Sequence, residues 1–279
     1  MSSATAILVP GQGSQTSDMR ELVAAHRPDL LELAVHAIGA DPFLRAGEGT
    51  GFAQPAIFCA SLAGWEALGR PEGDFMAGHS LGELGALVAA GALSEPDGLG
   101  LVTLRGRLMQ EAGRRAGGGG MVAVMGPGAA EQAPELALAH GLAVANDNSP
   151  QQIVLSGATA ELPAAVEHAK ELGLRAMTLQ VTGAFHSTMM ASAVPEFTAA
   201  LARTEFEAPR VLVISAVTVA PFSDPRRELA AALTSPVRWR ETLLALHELG
   251  AGRFIEVGPG RVLTGLAKRT LRDVELVHG

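Results

Sequence analysis

Phe75-Met76-Ala77-Gly78-His79-Ser80-Leu81-Gly82 sets a serine as G-x-S-x-G between a short apolar run and a segment in which Leu84, Leu87 and Val88 recur at helical spacing. The context is strand, sharp turn, helix, which reads as a nucleophile elbow. Flanking glycines let the backbone take a strained turn that lifts the Ser80 hydroxyl out of the fold, and N–H groups at the helix start face any oxyanion that forms there. In a chain with 33 glycines the same spelling also arises as a plain turn, so the flanking strand and helix carry the reading.

Working outward, residues 5–9 form a short apolar, partly β-branched run that ends at Pro10-Gly11-Gln12-Gly13, a buried strand feeding a glycine-rich loop. Helical segments are expected near 17–27 and 55–68, and a second strand at 74–77. Ser94-Glu95-Pro96 reads as a helix start, capped by serine with proline in the first turn, and that helix runs to about residue 116, where Gly117 to Gly120 stop it. Beyond the glycines the pattern becomes strand 121–125, helix 129–140, strands 142–145 and 153–155, helix 160–172 and strand 176–181. This β-α-β-β-α-β order is ferredoxin-like. Helix 188–202, strand 211–214, further helices and a strand at 254–257 complete the chain. The expected fold is α/β, an α/β-hydrolase-like large domain with a parallel sheet, discontinuous over 1–118 and 187–279, with a ferredoxin-like subdomain at 119–186 inserted in it.

The bulk numbers agree with an enzyme of this size. A chain of 279 residues, 48 % hydrophobic and 18 % charged, has a sizeable core and is not disordered. Cys59 is the only cysteine, so no disulfide framework or cysteine-based metal cluster is expected, and no histidine spacing supports a metal site. Residues 1–5 lack the basic start of a signal peptide and the apolar run after them is too short to span a bilayer, so a cytoplasmic protein is expected. A net charge of -8 argues against nucleic-acid binding.

A serine nucleophile needs a base, and there are eight histidines. His26, His36, His140, His168, His247 and His278 lie in ordinary helical or terminal segments, and His79, beside Ser80 on a sharp turn, reads first as packing. His186 follows an expected strand in Thr182-Gly183-Ala184-Phe185-His186-Ser187, where loops present catalytic groups. No acidic residue between Ser80 and His186 stands at a convincing strand end, leaving a dyad and a triad both open. At about 100° per residue, Leu101, Leu108, Met109 and Ala112 surround Arg105 on one helix face, with Arg107, Gln110, Glu111 and Arg114 opposite. Either the arginine snorkels to water, or it is buried and demands an anionic partner such as a substrate carboxylate. Gly11-Gln12-Gly13 lacks the third glycine of a dinucleotide loop; it reads as a plain turn or as a loop offering a backbone N–H toward Ser80.

Six motifs in order resemble the malonyl-CoA:acyl carrier protein transacylases and the related acyltransferases of polyketide synthases over nearly the whole chain. They are Pro10 to Gln15, Gly78 to Glu83, Arg105-Gly106-Arg107, Asn146 to Pro150, Gly183 to Ser187, and Glu256 to Gly260. The resemblance implies Ser80 as the acylated nucleophile, His186 as base, and the N–H groups of Gln12 and Leu81 as oxyanion hole. It implies Arg105 as clamp for a malonyl carboxylate, with His79, Phe185 and Asn148 also binding substrate. It further implies a backbone carbonyl from near Leu249 orienting His186, and an aromatic Phe185 leaving little room for a branch at the acyl α-carbon. No cofactor is implied, and the partners would be malonyl-CoA and an acyl carrier protein, with the protein acting as a monomer.

Rival readings keep the fold and change the acceptor or the cargo: an editing hydrolase, a transferase of another acyl group between carrier proteins, or an idle docking scaffold. Arg105 weighs against the first, and the intact Ser80 and His186 against the last. The short loop between His36 and Gln54 is a segment that could reshape the pocket. Both CoA and carrier proteins are acidic, so Arg114, Arg115, Arg261, Lys268, Arg269 and Arg272 are candidates for an entrance patch, each also an ordinary solvated side chain.

Overall fold

In the computed structural model, which describes residues 3–181 and 183–279, the alternation of strand and helix resolves into two sheets. Met1, Ser2 and Thr182 lie outside the described residues, so the N-terminal reading and the residue just ahead of the Gly183 motif are not placed.

Strand β1 (Ala4–Val9) leads to helices α1 (Met19–His26), α2 (Pro28–Ile38) and α3 (Thr50–Ala67), then β2 (Phe75–Gly78), α4 (Gly82–Ala89) and α5 (Glu95–Arg115). Sequence reading missed α2, although Pro28 at its first turn and left-handed Gly39 at its end are the letters of a helix start and stop. Helix α5 begins as expected, with the Ser94 hydroxyl accepting from the Asp97 N–H. The glycine run divides: Gly117 and Gly118, at φ 74° and 106°, end α5, whereas Gly119 and Gly120 already belong to the next strand.

That strand, β3 (Gly119–Met125), opens the series α6 (Ala129–Ala139), β4 (Ala143–Ser149), β5 (Gln152–Ala158), α7 (Leu162–Glu171) and β6 (Arg175–Thr178). All pairings are antiparallel in the order β4-β5-β3-β6, the arrangement a β-α-β-β-α-β chain takes when its first and third strands lie at the centre. Two corrections apply here. β6 ends at Thr178 and not near 181, because the chain leaves the sheet to line a cleft; β4 runs on through Asn146–Ser149, with irregular register on both sides of Asn146-Asp147 that re-aims these polar side chains.

The chain then forms a 3₁₀ turn (Thr188–Ala193) before α8 (Val194–Arg203), where one helix was expected, and continues through β7 (Leu212–Ile214), α9 (Pro225–Ala231), α10 (Trp239–Glu248), β8 (Ala251–Glu256), α11 (Val262–Thr270) and β9 (Glu275–His278). The larger sheet is parallel throughout, in the order β7-β2-β1-β8-β9; β9 had no expectation behind it. Side chains alternate across it: Ile7, Val9, Met76 and Ile255 face the core under α3, α4 and α5, whereas Ala6, Leu8, Ala77 and Phe254 face α10 and α11. The antiparallel sheet packs its own core against α6 and α7 through Val122, Leu136, Leu155 and Leu162. Among the described residues no helix is long and apolar enough to cross a membrane.

Because β1, β2 and β8 are parallel neighbours, the loops after Val9, Gly78 and Glu256 emerge along one edge of the sheet. That edge, at strand carboxyl ends, faces the antiparallel sheet and becomes the site.

Candidate active site

Strain marks the two central residues. Ser80 sits at φ 56° and His186 at φ 59°, a left-handed conformation that non-glycine residues seldom hold unless their surroundings enforce it. The elbow glycines answer a different need. A Cβ on Gly82 would lie 2.2 Å from the Val9 carbonyl oxygen, and one on Gly11 would lie 2.3 Å from that of His79, so the elbow and the Gln12 loop touch backbone to backbone. This contact brings together two N–H groups, of Gln12 and of Leu81, that donate to no protein acceptor among the described residues.

The Ser80 Oγ lies 2.9 Å from His186 Nε2, and His186 Nδ1–H donates to the carbonyls of Ala232 at 2.9 Å and Ser235 at 3.2 Å. Two carbonyls can only accept, so they fix the proton on Nδ1 and leave the Nε2 lone pair toward the serine. The orienting carbonyl expected near Leu249 is therefore misplaced: Leu249 ends α10 at the surface, 49 % exposed, and the segment after α9 does the work. No carboxylate takes part, so the arrangement is a dyad held by backbone. Burial first, then the positive charge of Arg105 and then His79, push the His186 imidazole down to about 3, so it stands neutral at physiological pH.

Arg105 is buried, not snorkelling, at 3 % exposure. Its Nη2 donates to Ser80 Oγ at 3.1 Å and its Nη1 to Gln54 Oε1 at 2.8 Å, and no acidic side chain among the described residues forms an ion pair with it. Burial brings the guanidinium down to about 10, partly offset by the field of Glu83. His79 Nε2–H donates to Asn148 Oδ1 at 2.8 Å and the ring meets Trp239 edge-on, so the bulge of β4 holds the residue before Ser80. Phe185 is buried and lines the same cleft of about 420 Å³, together with Met121 and Val154 of the antiparallel sheet and Leu263 and Leu266 of α11. Ser80, His186, Gln12, Leu81, Arg105, His79, Phe185 and Asn148 all line this cleft, whereas Leu249 and the basic candidates Arg114, Arg115, Arg261, Lys268, Arg269 and Arg272 do not.

Sequence reading missed Gln54, Thr50 and Glu83. Glu83 is the one charge in the run 81–92, fully buried, accepting from the Ala216 N–H at 2.8 Å and pushed up to about 7 mainly by burial. Gln54 is likewise the one amide in the apolar run 52–62. A lone polar residue on an apolar helix face was the signal that found Arg105, and it would have found Gln54 and Glu83; Thr50, opening α3 among glycines, carried none. Of the segment between His36 and Gln54, Gln54 lines the cleft and Thr50 reaches it through the Gln12 side chain.

The acyl transferase domain family matches residues 32–278. The chain belongs to this family. A polyketide biosynthesis protein of Burkholderia thailandensis, ThaF, is 42 % identical over 95 % of this chain, which corresponds to 24 % of ThaF's length. A malonyl CoA-acyl carrier protein transacylase of Synechocystis sp. is 36 % identical, with 98 % of this chain and 95 % of the relative covered. The solved structure of the malonyl CoA-acyl carrier protein transacylase of Coxiella burnetii superposes with a TM-score of 0.90 at 35 % identity, covering 99 % of this chain and 93 % of that one.

Proposed function

We propose that this acyl transferase moves a malonyl group from malonyl-CoA to the phosphopantetheine thiol of an acyl carrier protein through an acyl-serine. One observation carries the choice of cargo: a buried guanidinium hydrogen-bonded to the Ser80 oxygen, with no carboxylate in ion-pair contact among the described residues and only the field of Glu83 against its charge. An acyl group ending in a carboxylate supplies the missing partner. The names of the full-length relatives agree with this reading.

In the first half-reaction the Ser80 proton moves to His186 Nε2 as Oγ attacks the thioester carbonyl. The oxyanion accepts from the Gln12 and Leu81 N–H groups, the C–S bond breaks, and the imidazolium returns its proton to the CoA thiolate. In the second, the carrier thiol gives its proton to His186 and attacks the acyl-serine, the C–Oγ bond breaks, and Ser80 recovers the proton. The Nδ1–H bonds to Ala232 and Ser235 hold the imidazole in the right tautomer through both steps. Pairing of Arg105 with the malonyl carboxylate cancels one of the charges that weaken His186, so cargo binding strengthens the base.

Segment 119–186 acts in this reading as a ferredoxin-like subdomain that roofs the serine, supported by its separate core. In this reading the protein works as a cytoplasmic monomer. His79, Asn148 and Phe185 shape the acyl and pantetheine space. The test is intact-mass measurement after exposure to a panel of acyl-CoAs. A malonyl adduct that S80A abolishes and R105A strongly reduces, with acetyl labelling spared in R105A, is expected. Acyl loss to water faster than to carrier protein would instead make the protein a hydrolase.

A further inference from the structure

The oxyanion loop and the arginine are joined by a chain of hydrogen bonds through a residue that nothing above uses. Arg105 Nη1 donates to Gln54 Oε1 at 2.8 Å, Gln54 Nε2 donates to Thr50 Oγ1 at 2.9 Å, and Thr50 Oγ1 donates to Gln12 Oε1 at 2.7 Å. Donor chemistry makes this chain one-way. A guanidinium has no acceptor, so Gln54 must turn its oxygen to Arg105 and its NH₂ to Thr50. The Thr50 hydroxyl, having accepted, has one proton left, and it goes to Gln12. The charge at one end therefore fixes the orientation of an amide at the other, three hydrogen bonds away.

Gln12 has few other restraints. Its neighbours are tied down, Ser14 through its N–H and hydroxyl to the Gly11 carbonyl and the Gly13 N–H to the Gln15 side chain, whereas the Gln12 N–H must stay free to meet an oxyanion. The side-chain bond to Thr50 is what holds this residue from the α3 side. Thr50 can do so firmly because it is 2 % exposed and opens a buried helix. A loop donor that points a few tenths of an ångström away loses much of its effect on a tetrahedral oxyanion.

We propose that Thr50 is a positioning residue of the oxyanion hole, holding Gln12 in register with Ser80 through a chain whose polarity Arg105 sets. The proposal rests on the acyl-serine reading and makes a demand of its own. Both half-reactions pass through an oxyanion, so loss of the Thr50 hydroxyl slows both, and does so whether or not the acyl group carries a carboxylate.

The experiment is single-turnover kinetics on the whole protein, followed by intact mass: acylation by malonyl-CoA and by acetyl-CoA, then release to N-acetylcysteamine as a small thiol. T50V is expected to lower the rate constants of acylation with both donors, and of release, by a similar factor of roughly ten to a hundred, the range for an unpaired buried polar group. Apparent affinity for either CoA should change little, and T50S should recover most of the rate. A loss confined to malonyl-CoA would assign Thr50 to the clamp and overturn the proposal. So would unchanged rate constants with a lowered burst amplitude, which mean only fewer folded molecules. If T50V does not fold, T50A is read in the same way, and failure of both to fold makes the residue structural and sinks the proposal. Failure of the malonyl reading is separable: wild type then takes acetyl but not malonyl, and Thr50 is judged on the acetyl arm alone.

Discussion

As the proposed base, the His186 imidazole is unusual, held near 3 in the free protein by burial and by two neighbouring groups. Its reaction rate should hold up well below the ordinary histidine value and fall only in strongly acid solution. Removing a positive neighbour favours the protonated form, so R105A is expected to move the acid limb of kcat/KM for acetyl-CoA to higher pH; a limb that stays put would show that Arg105 does not act on the base. Glu83 has the opposite anomaly, raised to about 7 by burial against an unfolded value near 4.5. A carboxyl shifted this way contributes stability that is complete below the unfolded value and is lost as pH rises through about 7. Glu83→Gln keeps an oxygen for the Ala216 N–H and has no proton to lose. Urea unfolding across pH 5 to 9 should therefore find E83Q gaining on wild type as pH rises, by up to about 3 kcal/mol at the alkaline end. A constant difference across that range would place the Glu83 value elsewhere. Ser80, His186 and Arg105, which meet at one hydroxyl, could be picked out in the sequence because residue type and context alone single them out. The carbonyls of Ala232 and Ser235 left no trace there, because every residue has a carbonyl and only the fold chooses which two face the imidazole.

At the scale of elements, the elbow was legible because sterics dictate its letters. Gly78 and Gly82 stand where backbone meets backbone, so no other residue fits, while the positive φ falls on Ser80, which tolerates it for the sake of exposing its oxygen. Gly100 is the useful contrast: it lies exposed inside α5, with open space for 4 Å around the point an alanine methyl would occupy. Replacing Gly82 with alanine should cost about 3 kcal/mol or more and abolish serine labelling, whereas G100A should gain about 0.5–1 kcal/mol with labelling intact. Chemical denaturation of the two variants beside wild type checks both, and a mild G82A would mean that β1 and the elbow can separate without harm. The caps of α5 were equally readable, since Ser94 and the glycines after Arg115 are local signals. β9 had no such letters and is a short edge strand that exists because β8 offers it a partner, whereas the break after 187 did carry one that was passed over, Pro195 in the first turn of α8.

Taken as a whole, the molecule would have to attract acidic partners under the proposed function while carrying a net charge of -8. In that reading helix α11 is the candidate entrance, since it lines the cleft with Val262, Leu263 and Leu266, follows the exposed Arg261 and carries the exposed Lys268 and Arg269. Its own N-terminus is not available to a phosphate. The Glu256 carboxylate already accepts from the N–H groups of Leu263 and Thr264 and from the Thr264 hydroxyl, so attraction must come from side chains. Arg261 adjoins the cleft wall, whereas Lys268 and Arg269 stand about 10 Å further along the helix, roughly one Debye length at 0.1 M salt. A CoA entering the cleft should sense the first and a carrier protein, with its broad acidic surface, all three. R261E should therefore lower kcat/KM for serine acylation by malonyl-CoA, and the pair K268E and R269E should leave acylation alone while lowering transfer to carrier protein by about 3- to 10-fold at low salt, an effect that shrinks as salt screens it. Carrier transfer that is unchanged at low ionic strength would remove Lys268 and Arg269 from the docking surface and leave Arg261 as the guard of the mouth.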